Sequence, residues 1–122
     1  MQTVRCGYWA WQRDVYASIP QVEAMLPDDC PRGCLNAGLP GYFGRKPVVN
    51  LDGLVNLSAV PYWQDGRMDE YLRASGIEII VDERRSFGRM QRFMQCPPRL
   101  ETLGRFPLSN WDGDRFVWRC RF

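Results

Sequence analysis

Residues 47–56 read Pro47-Val48-Val49-Asn50-Leu51-Asp52-Gly53-Leu54-Val55-Asn56, and residues 70–82 read Glu70-Tyr71-Leu72-Arg73-Ala74-Ser75-Gly76-Ile77-Glu78-Ile79-Ile80-Val81-Asp82. Each stretch contains a short apolar run, at 48–51 and at 77–81, of the kind found in strands buried on both faces of a sheet. Residues 68–75, between the two runs, have helical spacing, and Gly76 is suited to the left-handed conformation that ends a helix. This order predicts two parallel strands lying side by side, joined by a right-handed helical crossover.

The region before this unit predicts a helix, a strand and a turn. The helix has apolar residues at helical intervals, namely Val15, Ile19, Val22 and Leu26. Pro20 interrupts it, so either the helix kinks there or a new one begins at a capping box formed by Ser18 and Gln21. A short first strand is expected within residues 32–37, followed by a glycine-rich turn at 38–44.

The end of the chain predicts an antiparallel hairpin with strands at residues 100–108 and 115–122, preceded by a short helix capped by Ser86. In the last strand, aromatic residues and a cysteine alternate with arginines and a valine. We therefore expect Phe116, Trp118 and Cys120 in the core, and Arg115, Arg119 and Arg121 outside. The whole pattern predicts a single α/β domain over residues 1–122, with a mixed, mainly parallel sheet flanked by helices and a C-terminal antiparallel hairpin.

Composition restricts the chemistry that this domain can perform. The chain has 122 residues, a net charge of +2 and no histidine. The small net charge argues against nucleic acid as a partner, and the lack of histidine removes the commonest general base and metal ligand. We predict neither a cofactor nor a metal site. No apolar run reaches the ~18 residues of a transmembrane helix, so no such segment is expected in this chain.

Five cysteines, at positions 6, 30, 34, 96 and 120, leave three interpretations open. They can be small buried apolar residues, or they can include at least one disulfide, for which Cys30 and Cys34 are close enough in sequence. A four-cysteine zinc site is the third interpretation, although the spacing fits no common zinc motif.

Asp52 is the leading candidate for a ligand-binding residue. It follows a predicted buried strand, and open α/β sheets place ligands at the carboxyl ends of their parallel strands. Further polar and aromatic residues are expected near that edge, where they can contact a sugar: Asn50, Asn56, Asp82, Tyr42 and Trp63. The alternative is that Asp52 only caps the turn before Gly53.

Two further patterns concern chemistry. Asp52 with Asp82 or Glu83 is a pair that glycoside hydrolysis could use, but no spacing pattern supports it, and we assign no catalytic residue. The densest basic segment consists of Arg84, Arg85, Arg89 and Arg92 with phenylalanines interleaved. Such a segment is found in nucleic-acid sites, in contacts with lipid phosphates and on solvated helix faces, and the small net charge favours the last two.

Residues 12–83, and most specifically residues 48–56, resemble the C-terminal extracytoplasmic soluble domain of bacterial GT-C-type membrane glycosyltransferases. These mannosyltransferase-like proteins use polyprenyl-phosphate sugars, and their catalytic acids lie in a membrane-embedded part. The resemblance implies an extracytoplasmic, periplasmic-side location and a non-catalytic accessory role. It also implies contact with the membrane-embedded portion, or with a glycan or lipid-linked acceptor.

Two other classes of function remain open at this point. One is a stand-alone soluble binding or adaptor protein of unknown ligand. The other is a small carboxylate-dependent enzyme that acts on sugars or phosphates. By the resemblance, the chain is not an enzyme by itself.

Overall fold

A computed structural model describes residues 2–27, 30–35, 37–53, 56–108 and 113–122, with side chains from Ala10 onward. The helices are α1 (Gln2–Met25), α2 (Gly38–Phe43), α3 (Val60–Gln64), α4 (Met68–Ala74) and α5 (Arg84–Gln91), with a 3₁₀ turn at Leu57–Ala59. The strands are β1 (Arg32–Cys34), β2 (Val48–Asn50), β3 (Ile79–Glu83), β4 (Arg99–Pro107) and β5 (Asp114–Arg121). None of these described helices combines the length and the apolar character needed to cross a bilayer.

The strands form one sheet in the order β2-β1-β3-β5-β4. β1 is parallel to both β2 and β3, whereas β5 is antiparallel to both β3 and β4. The predicted α/β class and mixed sheet with a closing antiparallel hairpin are therefore confirmed.

The expectation that the strands at 48–51 and 77–81 lie side by side is wrong, because β1 lies between them. The middle residue of β1 is Gly33. A Cβ atom there would come within 2.9 Å of Leu51 Cδ1 and 3.2 Å of Ile77 Cγ2. The missing side chain thus lets residues that follow β2 and precede β3 close over the central strand.

Helices cover both faces of the sheet, which makes the domain three-layered. On one face, Val22 of α1 and Leu26, the residue that follows this helix, pack on Ile79, Val81 and Val117. On the other face, α4 and α5 supply the larger cluster, which includes Leu72, Phe87, Met90, Ile80 and Trp118. The central strands are consequently buried on both sides, as their apolar runs predict.

Three local predictions need correction. α1 continues through Pro20, and the Ser18 hydroxyl donates to the Val15 carbonyl oxygen at 2.7 Å, so the capping box does not form. Residues 38–43 form the short helix α2, where a turn was expected. Ser86 lies inside α5, which begins directly after β3, and the residue before the helix makes no side-chain cap.

The last strand confirms one half of its predicted pattern. Phe116, Trp118 and Cys120 are buried as expected, and Arg121 is exposed. Arg115 was expected outside but is 1% exposed, and Arg119 is half-buried. The reason is that α1 packs across the face of β5 that was expected to be outside, so that Arg115 lies beneath the helix.

Candidate ligand-binding cleft

The sheet changes its direction of growth between β1 and β3. The chain leaves β1 through α2, which packs against α1, and returns to β2 on one side. It leaves β3 through α5, which packs on the opposite face, and continues to β4 and β5 on the other side. In open α/β sheets, this reversal opens a crevice outside the carboxyl ends of the two strands, where ligands bind.

A cleft of about 570 Å³ lies at this edge, within the range of roughly 300–1,000 Å³ usual for small-ligand sites. We call it the edge cleft. It is lined by Leu35, Asp52, Gly53, Val60, Trp63, Gln64, Ser86, Arg89 and Phe93. Its walls thus come from the segments that follow β1, β2 and β3, together with α3.

The turn after β2 holds Asp52 in the wall of the edge cleft. The Asp52 backbone N–H donates to Asn50 Oδ1 at 2.8 Å, and its carbonyl accepts from the Asn56 N–H at 3.0 Å. Asn56 Nδ2 donates to the Asn50 carbonyl and to the Tyr71 hydroxyl, each at 2.7 Å. Asn50 and Asn56 therefore shape the turn without lining the cleft, while Asp52 remains partly exposed.

Trp63 is fixed in the cleft wall by a hydrogen bond and by ring packing. Its indole Nε1–H donates to the Leu51 carbonyl at 2.9 Å, and its ring meets Phe93 edge-to-face with centroids 5.1 Å apart. A Cβ atom on Gly53 would lie 3.4 Å from the indole, an ordinary contact distance, so the turn packs directly beside the ring. Phe93 is 42% exposed, which leaves aromatic surface open to a ligand.

Asp82 lies behind the edge cleft and does not line it. It is fully buried, and its Oδ2 accepts from the backbone N–H of Leu35 at 2.7 Å. Burial, followed by the neighbouring Glu83 carboxyl, raises the pKa of Asp82 to about 8. Its side chain therefore supports the cleft wall at Leu35 and is not available to a ligand.

Glu83 is the centre of a buried polar cluster beneath α1. It accepts from Trp11 Nε1 at 2.9 Å and from Arg115 Nη1 at 3.0 Å, while Arg115 Nη2 lies 3.2 Å from Cys34 Sγ. Burial opposes the ionisation of Glu83, but the hydrogen bond from Asp82 and the Arg115 charge lower its pKa. Since Asp82 and Glu83 are both buried, neither forms with Asp52 the pair of carboxylates across a cleft that glycoside hydrolysis needs.

The remaining sequence-derived candidates are placed as follows. Tyr42 is 82% exposed on α2, away from the edge cleft, and contacts the ring of Phe43. Cys30, Cys34, Cys96 and Cys120 are free thiols, and the side chain of Cys6 is not among those described. Within the described part of the chain, no three Cys, Asp or Glu residues come together as a metal-binding group.

Sequence reasoning did not select Gln64, Ser86, Arg89 and Phe93 for this site. Three of these residues lie in or just after α5, which starts at the residue following β3. A helix that begins directly at the carboxyl end of a parallel strand must start at the ligand-binding edge. Nothing in the sequence indicates that β3 continues past its apolar run to Glu83. The start of α5 at this edge could therefore not be predicted.

No protein-family model, curated protein or solved structure matches this chain.

Proposed function

We propose that this chain is a non-catalytic glycan-binding domain, in which a sugar residue occupies the edge cleft. The observation that carries the proposal is the pairing of Trp63 and Phe93 with Asp52, Gln64 and Arg89 around one open cleft. Aromatic rings present an apolar face on which a sugar ring can stack, and a few convergent polar groups give orientation and specificity.

The polar side chains that line the edge cleft are better suited to binding sugar hydroxyl groups than to catalysis. A carboxylate only accepts hydrogen bonds and a guanidinium only donates them, whereas the Gln64 amide and the Ser86 hydroxyl do both. Sugar hydroxyl groups need both kinds of partner. Among the lining residues that the structure describes, Asp52 is the one carboxylate, so these residues do not supply the two carboxyl groups that glycoside hydrolysis uses.

A role as the accessory module of a membrane glycosyltransferase is the biological setting that we propose for this binding. It rests on the resemblance of residues 48–56, which contain Asp52 and the turn that positions it. In that setting the domain contacts the glycan acceptor on the extracytoplasmic side, while a separate membrane-embedded part performs the transfer.

The experiment is a glycan array probed with the wild-type protein and three variants. Asp52→Asn and Phe93→Ala each remove one side-chain contribution to the edge cleft and should weaken the best glycan about tenfold, the equivalent of ~1.4 kcal/mol. Tyr42→Ala is the matched control, because it removes a more exposed aromatic ring from α2. It should bind like wild type. Equal losses in all three variants, or no glycan retained by wild type, would overturn the proposal.

A further inference from the structure

A second concave surface lies near the edge cleft, at the N-terminal end of α5. It encloses about 800 Å³ and is lined by Arg84, Arg85, Arg105, Gly113, Asp114 and Phe116. We call it the arginine groove. Arg84 and Arg85 in the first turn of α5 face this groove, whereas Ser86 and Arg89 of the same helix line the edge cleft.

The described residues that line the arginine groove carry an excess of positive charge. Asp114 is the one carboxylate among the lining residues that the structure describes and pairs with Arg105 at 2.8 Å, and neither Arg84 nor Arg85 forms an ion pair with a described residue. The guanidinium carbons of Arg84 and Arg105 lie 4.8 Å and 6.0 Å from the centroid of the Phe116 ring. The protein thus holds like charges on one aromatic support, an arrangement that an anion would stabilise.

The two concave surfaces are close enough to serve one ligand. Arg85 and Arg89 are four residues apart on α5, a spacing that puts their Cβ atoms roughly 5–6 Å apart on one side of a helix. Guanidinium groups bind phosphate and carboxylate oxygens through paired N–H donors. A neutral sugar in the edge cleft has no phosphate or carboxylate group for these guanidinium groups to bind.

We infer that the arginine groove is a subsite for a phosphate or carboxylate group attached to the sugar in the edge cleft, so that the ligand is an acidic glycan. The inference rests on the proposed function. It deepens that function by assigning the α5 arginines a role in ligand selection.

The test is calorimetric titration with glucose, mannose and galactose, each as the free sugar, the 6-phosphate and the uronic acid. For the hexose that binds, an acidic form should bind wild type about tenfold tighter than the neutral form, as two partly exposed charge contacts allow. The double variant Arg84→Gln/Arg85→Gln should lose that preference and keep its affinity for the neutral sugar. The comparison of phosphate with uronate identifies the source of the negative charge.

Two controls make the outcomes distinct. Arg45→Gln removes the same kind of charge from an exposed residue that follows α2, and it should keep the preference for the acidic form. Inorganic phosphate alone should bind more weakly than the sugar phosphate. Folding of each variant is checked by circular dichroism.

Three results would overturn the inference while leaving glycan binding intact. Wild type could bind the neutral and acidic forms equally, or the double variant could retain the preference for the acidic form. The third is that Arg45→Gln loses this preference as fully as the double variant does. Inorganic phosphate binding as tightly as the sugar phosphate would make the groove a free phosphate site instead. If no form of any hexose binds, the proposed function itself fails, and the inference fails with it.

Discussion

Arg115 and Glu83 form an ion pair in which both side chains are at most 2% exposed. A buried pair of this kind gains little over apolar residues of the same size, but losing one partner leaves an uncompensated charge in the interior. Trp11 and Cys34 also contact this pair, so that α1, β1, β3 and β5 meet at it.

We predict that Arg115→Met lowers the free energy of unfolding by ~3–5 kcal/mol, because it leaves Glu83 buried without its counter-ion. The matched control is Arg121→Met on the same strand, whose partner Glu101 is exposed. That change should cost less than ~1 kcal/mol. Urea unfolding of both variants measures the difference, and equal values would show that the Arg115 pair contributes no more than a surface pair.

Asp82 gives stability a pH dependence of unusual sign for a carboxyl group. The folded protein keeps the Asp82 proton up to about pH 8, while an unfolded chain releases it near the ordinary pKa of 3.8. Between these values the folded state therefore binds more protons than the unfolded state, and stability from this group is lost as the pH rises. The facing charged groups are Glu83 and Arg115, and neither changes its charge between pH 6 and pH 8.

We predict that the unfolding free energy of wild type falls between pH 6 and pH 8, by up to ~1.4 kcal/mol per pH unit, relative to Asp82→Asn. The amide variant has no proton to lose at this position, so it serves as the reference curve. Chemical denaturation at pH 6, 7 and 8 gives both curves. Parallel curves would mean that Asp82 is ionised throughout this range.

At the scale of single elements, alanine substitutions at two glycines test the packing of the central strand β1 and the helical structure of α2. The Cβ atom of alanine at position 33 would press on Leu51 and Ile77, whereas one at position 41 in α2 meets nothing within 4 Å. Gly33→Ala should therefore destabilise the protein by ~1–3 kcal/mol through overpacking.

Gly41→Ala should instead raise the stability by up to ~1 kcal/mol, since alanine favours a helix and glycine does not. Thermal unfolding of the two variants provides the measurement. Destabilisation by Gly41→Ala would favour the turn that the sequence suggests at residues 38–44. An unchanged stability in Gly33→Ala would argue against the tight approach of Leu51 over β1.

The elements that the sequence predicts correctly are those with a local pattern. The runs at 48–51 and 77–81 are rich in apolar residues and overlap the strands β2 and β3, and the alternation after residue 115 marks the closing strand. The position of β1 is not predictable in this way, because Arg32-Gly33-Cys34 has no apolar pattern and its place depends on contacts with distant residues. The same applies to Arg115, whose burial is decided by Glu83 and α1.

The residues of the candidate site, too, could be predicted only where a local sequence pattern places them. Asp52 could be assigned to the edge of the sheet because it directly follows a strand, and the structure brings it together with Trp63 in one cleft. Arg89 and Phe93 could not be assigned, since their place depends on where β3 ends and on which face α5 packs. Tyr42 is adjacent to Phe43 in a short helix, and nothing local shows that this helix belongs to the α1 layer.

At the scale of the whole molecule, the sheet reverses its direction of growth between β1 and β3, and the edge cleft is the consequence. Its apolar walls come from three different connections, so that the cleft exists only in the folded domain. Residues of α5 line both the edge cleft and the arginine groove, so that an aromatic surface and a basic surface adjoin one helix.

The most direct test of this account is nuclear magnetic resonance of the ¹⁵N-labelled protein, titrated with the oligosaccharide that binds best on the array. If a sugar occupies the edge cleft, the largest shifts will be those of the Gly53, Gln64, Arg89 and Phe93 amides, and Tyr42 will not respond. Shifts centred on the exposed aromatic rings of Tyr42 and Phe43, or no shift at any glycan concentration, would contradict the account.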